Sequence, residues 1–366
     1  MVRASKNSKY FDKSEVIGEF YNNYAKIVAP ILDALEQRRR KYLFMLSTLV
    51  LVLPLLVIIL YPLLGSAVFL LGVLGLIFPS VMLISRFTHD LKCECMPFLI
   101  QAFGNMKWCS NTFVISDYDL RESELFAVFN TRNDDDSFVG KYKGVEYKVS
   151  EMYLANVSGS GKRKMYWRVF NGVVILFDSN KEIKNKTIIT TKGDINTRNR
   201  NPLLYMFLAY ILFQFVPYFF HPKYFFNTVF PFLIAFIVIA FLFLKLLERL
   251  KLSNKEQLNE IKLEDPKFCK TYRAFSSDEV EGRYLITTAF MERFQNLHTA
   301  FGTRRAKCSF YDDKVMFSIS TEKNLFELGS FFTPVNNQKA INRFLAEISA
   351  IFDLIDYFKL DEKTGI

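Results

Sequence analysis

The chain has 366 residues and a formal net charge of +10, with 51% hydrophobic and 23% charged residues. Its mean hydropathy of +0.12, combined with an ordinary charge content, excludes a disordered chain and argues against a purely soluble enzyme. The five cysteines are an odd number without paired spacing, so we expect a reducing compartment and no disulfide framework. The excess of hydrophobic residues must therefore be concentrated in particular segments.

The first apolar segment, residues 42–87, contains no Asp, Glu or Lys, and its only basic residue is Arg86. It is longer than the roughly 20 apolar residues that cross a bilayer once. Tyr61-Pro62 and Gly65 interrupt the segment, so the sequence predicts a transmembrane hairpin. Its two predicted helices are Leu43–Leu60 and Ser66–Ser85.

A second apolar segment lies within residues 201–250 and is interrupted at Pro217 and at His221-Pro222. This pattern predicts a second transmembrane hairpin, with helices near Leu203–Phe220 and Phe225–Leu244. No ionisable side chain is expected near the middle of the bilayer in either hairpin, which argues against an ion or proton path. The four helices are therefore interpreted as anchors that also pack on each other.

Basic residues flank both hairpins, as in Arg38–Lys41 before the first and Lys245, Arg249 and Lys251 after the second. By the positive-inside rule, both termini and the region between the hairpins lie in the cytoplasm. We therefore expect a multi-pass protein of the inner (plasma) membrane. The predicted order is an amphipathic N-terminal cytoplasmic helix (1–41), transmembrane hairpin 1 (42–87), a cytoplasmic strand-rich half-domain (88–200), transmembrane hairpin 2 (201–250) and a cytoplasmic α+β half-domain with a C-terminal amphipathic helix (251–366).

Residues 11–41 are predicted to form the amphipathic N-terminal helix, because apolar residues recur there at steps of three and four. One interpretation is a membrane-surface helix whose basic end, Arg38–Lys41, binds anionic headgroups. The alternative, which we favour, is a helix packed on the cytoplasmic domain, with the basic end fixing the topology. The apolar positions are Ile17, Phe20, Tyr24, Ile27, Ile31 and Leu35.

The first half-domain is rich in Val, Ile, Phe, Tyr and Thr, which is typical of strands. The predicted strands are Glu124–Asn130, Phe138–Tyr142, Val145–Asn156, Met165–Phe177 and Thr187–Thr191. Lys143-Gly144 and Asn171-Gly172 are turn signals, and Ser158–Gly161 is a predicted hairpin tip.

The second half-domain mixes strands and helices. We predict strands at Lys270–Phe275, Lys307–Tyr311 and Val315–Ser320, and helices at Thr288–Phe301 and Gln338–Leu360. Strands and helices do not alternate as in βαβ units, so the fold class is α+β with a mainly antiparallel sheet. With the membrane segments, the fold is four transmembrane helices in two hairpins and one α+β domain split by the second hairpin.

Several motifs in this order resemble one known family. The first group is Asp135–Gly144, then Ser150-Glu151, then Val169–Gly172, and the second is Leu263–Phe268, Ser277–Thr287 and Phe290–Arg293. Both are similar to the bacterial membrane-protein family of the domain of unknown function DUF3137, over roughly residues 88–360. The resemblance implies an amphipathic N-terminal helix, one membrane hairpin and a cytoplasmic domain without an assigned activity. The second hairpin departs from that pattern.

Acidic residues provide two candidates for chemistry. Asp134–Asp136, with Glu146 and Glu151 on the next strand, could bind a divalent cation and serve a metal-dependent hydrolase. A solvated turn before a strand is the interpretation that we favour for this run. Asp278 with Glu281 could form an acid–base pair, but their spacing is that of a helix N-cap.

A basic patch near the predicted hairpin tip consists of Lys162, Arg163, Lys164 and Arg168. These are the residues that we predict to contact lipid headgroups or a partner, although a charged hairpin tip is the simpler interpretation. The preceding Gly159–Gly161 does not form a phosphate-binding loop, because Arg163 replaces the required Ser or Thr. The positive charge is spread along the chain, so nucleic-acid binding is not expected.

The remaining residues do not complete a catalytic or metal site. Cys93, Cys95 and Cys109 lack a CxxC pair and a histidine cluster, and the three histidines are too scattered for a catalytic triad. We therefore predict no catalytic, cofactor-binding or metal-binding residues and no enzymatic activity. The expected function is that of a membrane-tethered interaction or assembly module with a membrane-associated protein partner. The alternatives are an anionic-lipid headgroup sensor with a pleckstrin-homology-like domain and the metal-dependent hydrolase.

Overall fold

The computed structural model describes residues 13–103, 105–159, 164–179, 182–192, 258–301 and 305–357. The helices are α1 (Lys13–Asn23), a π-helical turn (Tyr24–Val28), α2 (Ala29–Leu64), α3 (Ser66–Ile100), α4 (Asp117–Glu122), α5 (Pro266–Thr271), α6 (Glu279–Leu285), α7 (Thr288–Phe301) and α8 (Gln338–Tyr357). The strands are β1 (Lys107–Ser110), β2 (Thr131–Tyr142), β3 (Val145–Ser158), β4 (Met165–Asp178), β5 (Thr187–Thr191), β6 (Asn259–Ile261), β7 (Tyr272–Ser276), β8 (Ala306–Tyr311) and β9 (Lys314–Ser320).

The nine strands of the described residues form one antiparallel sheet in the order β1-β2-β3-β4-β9-β8-β5-β7-β6. The sheet confirms the α+β class and the antiparallel arrangement. Strand β5 pairs with β7 and β8, so segments from before residue 193 and after residue 257 share one sheet. The second predicted hairpin, 201–250, lies outside the described residues.

The N-terminal helix and the first predicted membrane helix are continuous. Residues 17–63 form one helical stretch with the π-helical turn inside it, and nothing near residue 41 breaks the helix. The predicted break at Tyr61-Pro62 is wrong, because α2 continues to Leu64. Gly65 ends it with a φ of 65°, a backbone conformation that glycine adopts readily.

Helix α3 extends to Ile100, well beyond the predicted end at Ser85. Its second half buries Leu91, Cys95 and Leu99, which lie four residues apart on one face. Buried residues at every fourth position indicate that the helix continues beyond the membrane segment without interruption. The residues from Arg86 to Ile100 therefore continue the helix.

Three predicted strands differ substantially from the structure. Glu124–Asn130 is not a strand, and the strand predicted at Phe138–Tyr142 begins seven residues earlier, at Thr131, as β2. The acidic run Asp134–Asp136 consequently lies within β2 rather than in a solvated turn before it. In the second half of the chain, α5 occupies the first residues of the predicted strand Lys270–Phe275.

Hydrophobic clusters lie on both faces of the sheet. Along β4, Val173, Ile175 and Phe177 belong to the larger cluster, which also contains residues of α1–α3, α7 and α8. Val174 and Leu176 belong to the smaller cluster, which contains residues of the segment 111–130. The alternation is that of a strand covered on both faces.

Gly172 is placed differently from its prediction. The Asn171-Gly172 pair is not a turn but part of β4, where Gly172 has a φ of 148° and pairs with Ser320 of β9. A Cβ atom there would lie 2.1 Å from the carbonyl oxygen of Ile319. Only glycine allows the two backbones to approach this closely.

We expect Gly172→Ala to lower the free energy of unfolding by about 1–3 kcal/mol or more, since backbone must move to admit the methyl group. Gly18→Ala in α1 is the control, because no atom lies within 4 Å of its Cβ position. That change should stabilise the helix by about 0.5–1 kcal/mol. The measurement is the thermal unfolding midpoint of each full-length variant in detergent, and equal midpoints would contradict the close approach.

Candidate functional site

The second half of α2 and the first half of α3 expose an apolar surface. Phe44, Leu51, Leu63 and Phe78 are each more than two-thirds exposed. An exposed apolar surface of this extent marks contact with lipid or another protein. By length and composition, the helical stretches Ile17–Leu63 and Ser66–Ile100 could each cross a membrane.

The same two helices continue into the core of the α+β domain. Phe87 on α3 is fully buried and its ring lies 5.6 Å from that of Phe331, in the loop between β9 and α8. At the end of the helical pair, Phe103 stacks 5.7 Å from Phe352 of α8. The apolar helices and the domain are therefore connected by packed helix rather than by a flexible linker.

Three of the four residues of the basic run Arg38–Lys41 form ion pairs. Arg38 pairs with Glu94 of α3 at 2.9 Å, and Arg39 and Arg40 pair with Glu36 at 2.7 and 3.1 Å. Arg39 is buried and also donates to the carbonyl oxygen of Phe331. The structure thus supports a helix packed on the domain rather than a headgroup-binding helix at the membrane surface.

Glu36 is held in its ionised form by these contacts. Hydrogen bonds from Arg39 lower the pKa of Glu36 to about 2, although burial opposes the shift. The backbone N–H of Val335 and the guanidinium of Arg40 contribute in the same direction. Glu36 therefore ties α2 to the loop between β9 and α8.

Lys92 lies at the centre of a buried polar network at the junction of α3 and the sheet. We call the residues Lys92, Asp135, Asp136, Glu151 and Glu327 the junction network. The Lys92 Nζ atom lies 2.8 Å from Asp136, 2.8 Å from Glu327 and 3.4 Å from Asp135. Burial alone would lower the pKa of Lys92, but the charges of Asp136 and Glu327 raise it above its ordinary value.

Asp136 and Glu151 are the most enclosed acids of the junction network. Asp136 has no exposed surface and accepts a hydrogen bond from the indole of Trp108 at 2.9 Å. Glu151 is 8% exposed and accepts the backbone N–H of Leu325 through Oε1, while its Oε2 is buried without a hydrogen-bond partner. Burial raises the pKa of Glu151 to about 8, so its carboxyl group is largely protonated at neutral pH.

The predicted metal group is assembled only in part. Carboxylate oxygens of Asp135, Asp136 and Glu151 lie within 4.8 Å of one another. Asp134 is separate, because Arg132 pairs with it at 2.6 Å and Ser150 donates to it. Glu146 is also separate, since it pairs with Lys141. Lys92 already supplies a cation to the clustered carboxylates, so the arrangement is that of a structural ion network.

The other sequence candidates have structural roles or lie apart. Asp278 caps α6 by accepting the N–H groups of Val280 and Glu281, as its spacing predicts. The side chain of Glu281 accepts from Lys184 and Asn185 rather than forming an acid–base pair with Asp278. Within the described ranges, Cys93, Cys95 and Cys109 do not enter any group of three metal ligands.

The predicted lipid or partner contacts are partly described. Lys162 and Arg163 lie outside the described residues, and Lys164 is exposed before β4. Arg168 pairs with Glu322 at 2.9 Å, with both side chains more than half exposed. Just before it, Met165, Tyr166 and Trp167 are also exposed. A basic and aromatic surface therefore exists on this arm of the β3–β4 hairpin.

Arg168 also lines a polar groove of about 350 Å³ that sequence reasoning does not predict. We call it the basic groove, after its four cationic residues Arg168, Lys192, Arg305 and Lys307. Among the described residues that line it, Glu322 is the single acidic one. Because these residues are up to 139 positions apart in the chain (307 minus 168), only the sheet order reveals the cluster.

Comparison with known proteins gives one match. Residues 168–360 match the family described as protein of unknown function (DUF3137). Neither a curated protein nor a solved structure matches the chain. The match begins at Arg168, so the motifs Asp135–Gly144 and Ser150-Glu151 lie outside it, whereas Val169–Gly172 and the second motif group lie within it. It covers more than half of the sequence and confirms the resemblance that the motifs indicate. The chain therefore belongs to the DUF3137 family.

Proposed function

We propose that this protein is a multi-pass protein of the bacterial inner membrane whose α+β domain acts as a membrane-tethered interaction or assembly module. In this proposal the termini and the domain lie in the cytoplasm, both apolar segments form hairpins, and the domain has no enzymatic activity of its own. The binding partner is a membrane-associated protein. Tethering raises the effective concentration of the domain toward such partners, because both are confined to a thin layer.

The observation that carries this proposal is the continuity of α2 and α3. In α2 a half that packs in the domain core is followed by an exposed apolar half, and in α3 the exposed apolar half comes first and the packed half second. An enzyme that acts on soluble substrates has no need of such a fixed connection, whereas a module that presents one surface at the membrane does. The ion pairs between Arg38 and Glu94 and the buried Arg39–Glu36 pair hold the same connection.

The membrane part of the proposal is tested by extraction and labelling. We expect the full chain to remain in the membrane pellet after alkaline extraction. A Ser66→Cys variant should react with a membrane-impermeant maleimide on spheroplasts, which are cells without their outer membrane. The native Cys93, exposed on α3, should react only after permeabilisation. Release into the alkaline supernatant, or external labelling of Cys93, would contradict the topology.

The interaction part is tested by purification of the full chain in mild detergent at its natural expression level. We expect a protein partner at a fixed stoichiometry that is retained through a second purification step and is crosslinked to the α+β domain. A preparation that contains this chain alone would contradict the module.

The two alternatives differ in their support. The metal-dependent hydrolase receives little support, since Asp134 is separate from the clustered acids and Lys92 neutralises part of their charge. The lipid headgroup sensor receives more, because the basic groove and the exposed Tyr166 and Trp167 provide cationic and interfacial residues.

A further inference from the structure

The basic groove is formed where four adjacent strands end. Arg168 lies near the start of β4, Lys192 directly follows β5, and Arg305 and Lys307 lie at the start of β8. Strand β9 contributes its last residue, Ser320. The sheet order places β4, β9, β8 and β5 side by side, so these strand ends meet at one end of the sheet.

Hydrogen bonds between the strand ends fix the shape of the groove. The backbone N–H of Ser320 donates to the carbonyl oxygen of Arg305 at 2.9 Å, and the hydroxyl of Thr191 donates to that of Ala306 at 3.2 Å. The Lys307 ammonium donates to the carbonyl oxygen of Leu125 at 3.3 Å. Arg168 and Lys307 are thus carried by strands, and Lys192 and Arg305 directly flank strands whose ends are joined by these hydrogen bonds.

The described residues that line the groove have a net positive charge. Four of them are cationic and one, Glu322, is acidic and pairs with Arg168. That pair is more than half exposed, and exposed ion pairs contribute little to stability, so Glu322 can be displaced at low cost. Ser320 adds a neutral hydroxyl group to the lining, whereas the hydroxyl of Thr191 already donates to Ala306. Clustered Arg and Lys with hydroxyl donors are the groups that recognise a phosphate.

We infer that the basic groove binds a phosphate group. The group belongs either to an anionic lipid headgroup or to a small soluble phosphate compound, because both present the same oxygen atoms to the four cations. A groove of about 350 Å³ has room for a phosphate with a small attached group. The inference deepens the proposed function, since the lipid source rests on the membrane location of the domain.

The position of the groove favours the lipid as the source. Lys92 of α3 contacts Asp136 in the middle of β2, whereas Phe103, beyond the end of α3, contacts Phe352, whose ring lies 4.8 Å from that of Tyr142 at the end of β2. Asp136 is therefore nearer than Tyr142 to the apolar halves of α2 and α3, and the strand start, Thr131, lies on the Asp136 side.

The strand register extends this relation to the groove. Thr131, at the start of β2, pairs with Ala155 of β3, which in turn pairs with Arg168 of β4. Arg168 thus lies at the end of the sheet that is nearer to the apolar helices. The exposed Tyr166 and Trp167 at the same end are residues that favour the membrane–water interface.

The test uses full-length protein in mild detergent and calorimetric titration with two probes, inorganic phosphate and dihexanoyl phosphatidylglycerol. We expect both probes to bind the native protein. The double variant Arg305→Gln/Lys307→Gln should bind them with an affinity lower by on the order of tenfold or more, because two charged donors are lost. Tighter binding of the lipid assigns the site to a headgroup, and tighter binding of inorganic phosphate assigns it to a soluble compound.

Two further variants keep the inference falsifiable. Lys267→Gln/Arg283→Gln removes the same charge from exposed positions outside the groove and should leave binding unchanged. Glu322→Gln removes the competing carboxylate and should tighten binding, a gain that misfolding cannot produce. Absence of binding to the native protein, or equal loss in the two double variants, would overturn the inference. Membrane extraction is independent of these titrations, so a failure of the proposed function is separately visible.

Discussion

Replacing Lys92 by methionine should destabilise the α+β domain by about 3–5 kcal/mol, because it leaves buried carboxylates without their cation. The Lys92 side chain is 9% exposed and Asp136 is fully buried, so water cannot replace the lost ion pair. Methionine retains much of the length of the apolar stem, which limits the loss of packing. The unfolding midpoint should fall on the order of 10 °C, since about 1 kcal/mol shifts the midpoint by about 2–4 °C in domains of this size.

The matched control is Lys141→Met, on the same strand as Asp136. Lys141 pairs with Glu146 at 3.4 Å, but both side chains are more than half exposed. Such a pair contributes about 0–1 kcal/mol, so the midpoint should barely change. The measurement is fluorescence-detected unfolding in detergent, with Trp108 as a local probe because its indole contacts Asp136. Equal midpoints for the two variants would show that Lys92 does not stabilise the junction.

A double variant separates the ion pair from other effects of the substitution. Asp136→Asn removes one of the charges that Lys92→Met leaves unpaired. If the stability loss comes from uncompensated charge, Lys92→Met/Asp136→Asn should be more stable than the sum of the single changes predicts. Additive losses would instead assign the effect to packing.

The sequence pattern predicted those elements whose signals are local. Thr187–Thr191 and Thr288–Phe301 have the predicted bounds, because their turn and capping residues lie directly beside them. Lys143-Gly144 forms the predicted turn, and both residues have positive φ. Asn171-Gly172 carries the same local signal but lies in β4, since its glycine serves a contact with β9 that is 148 positions away (320 minus 172).

The two polar sites depend on contacts between distant residues, and so they were harder to predict. Lys92 has the sequence context of a basic residue flanking a membrane helix, and only the packing of α3 on β2 reveals its ion pairs. Of the basic groove, Arg168 was predicted as a contact residue, whereas Lys192, Arg305 and Lys307 were not. Their shared feature is a place at the end of a strand, which a sequence shows only once the strand order is known.

Because of Glu151, the stability of the domain should decrease as the pH rises. Its pKa is raised to about 8 by burial, while in the unfolded chain the group ionises near its ordinary value of 4.5. Between these values the unfolded chain has lost the proton and the folded chain keeps it, so rising pH favours unfolding. Between about pH 6 and about pH 8, this single group should lower the free energy of unfolding by about 2 kcal/mol.

Glu151→Gln should remove that contribution and leave the junction otherwise intact. The amide oxygen can still accept the N–H of Leu325, and its N–H₂ group adds donors beside the carboxylates of Asp135 and Asp136. We therefore expect the variant to match the native protein near pH 5 and to exceed it by about 2 kcal/mol or more near pH 8. The measurement is the unfolding midpoint of both proteins across this pH range.

The direction of the pH effect distinguishes Glu151 from Glu36, a buried acid on α2. Glu36 has its pKa lowered to about 2, so its contribution is present at neutral pH and is lost only as the pH falls below about 4.5. A Glu36→Gln variant should therefore be destabilised across the whole range in which Glu151→Gln is stabilised. If Glu151→Gln instead lowered stability near pH 8, the carboxyl group would have to be ionised in the folded protein, and the Oε2 atom would need a cation that Lys92 does not provide. That result would return Asp135, Asp136 and Glu151 to consideration as a metal site.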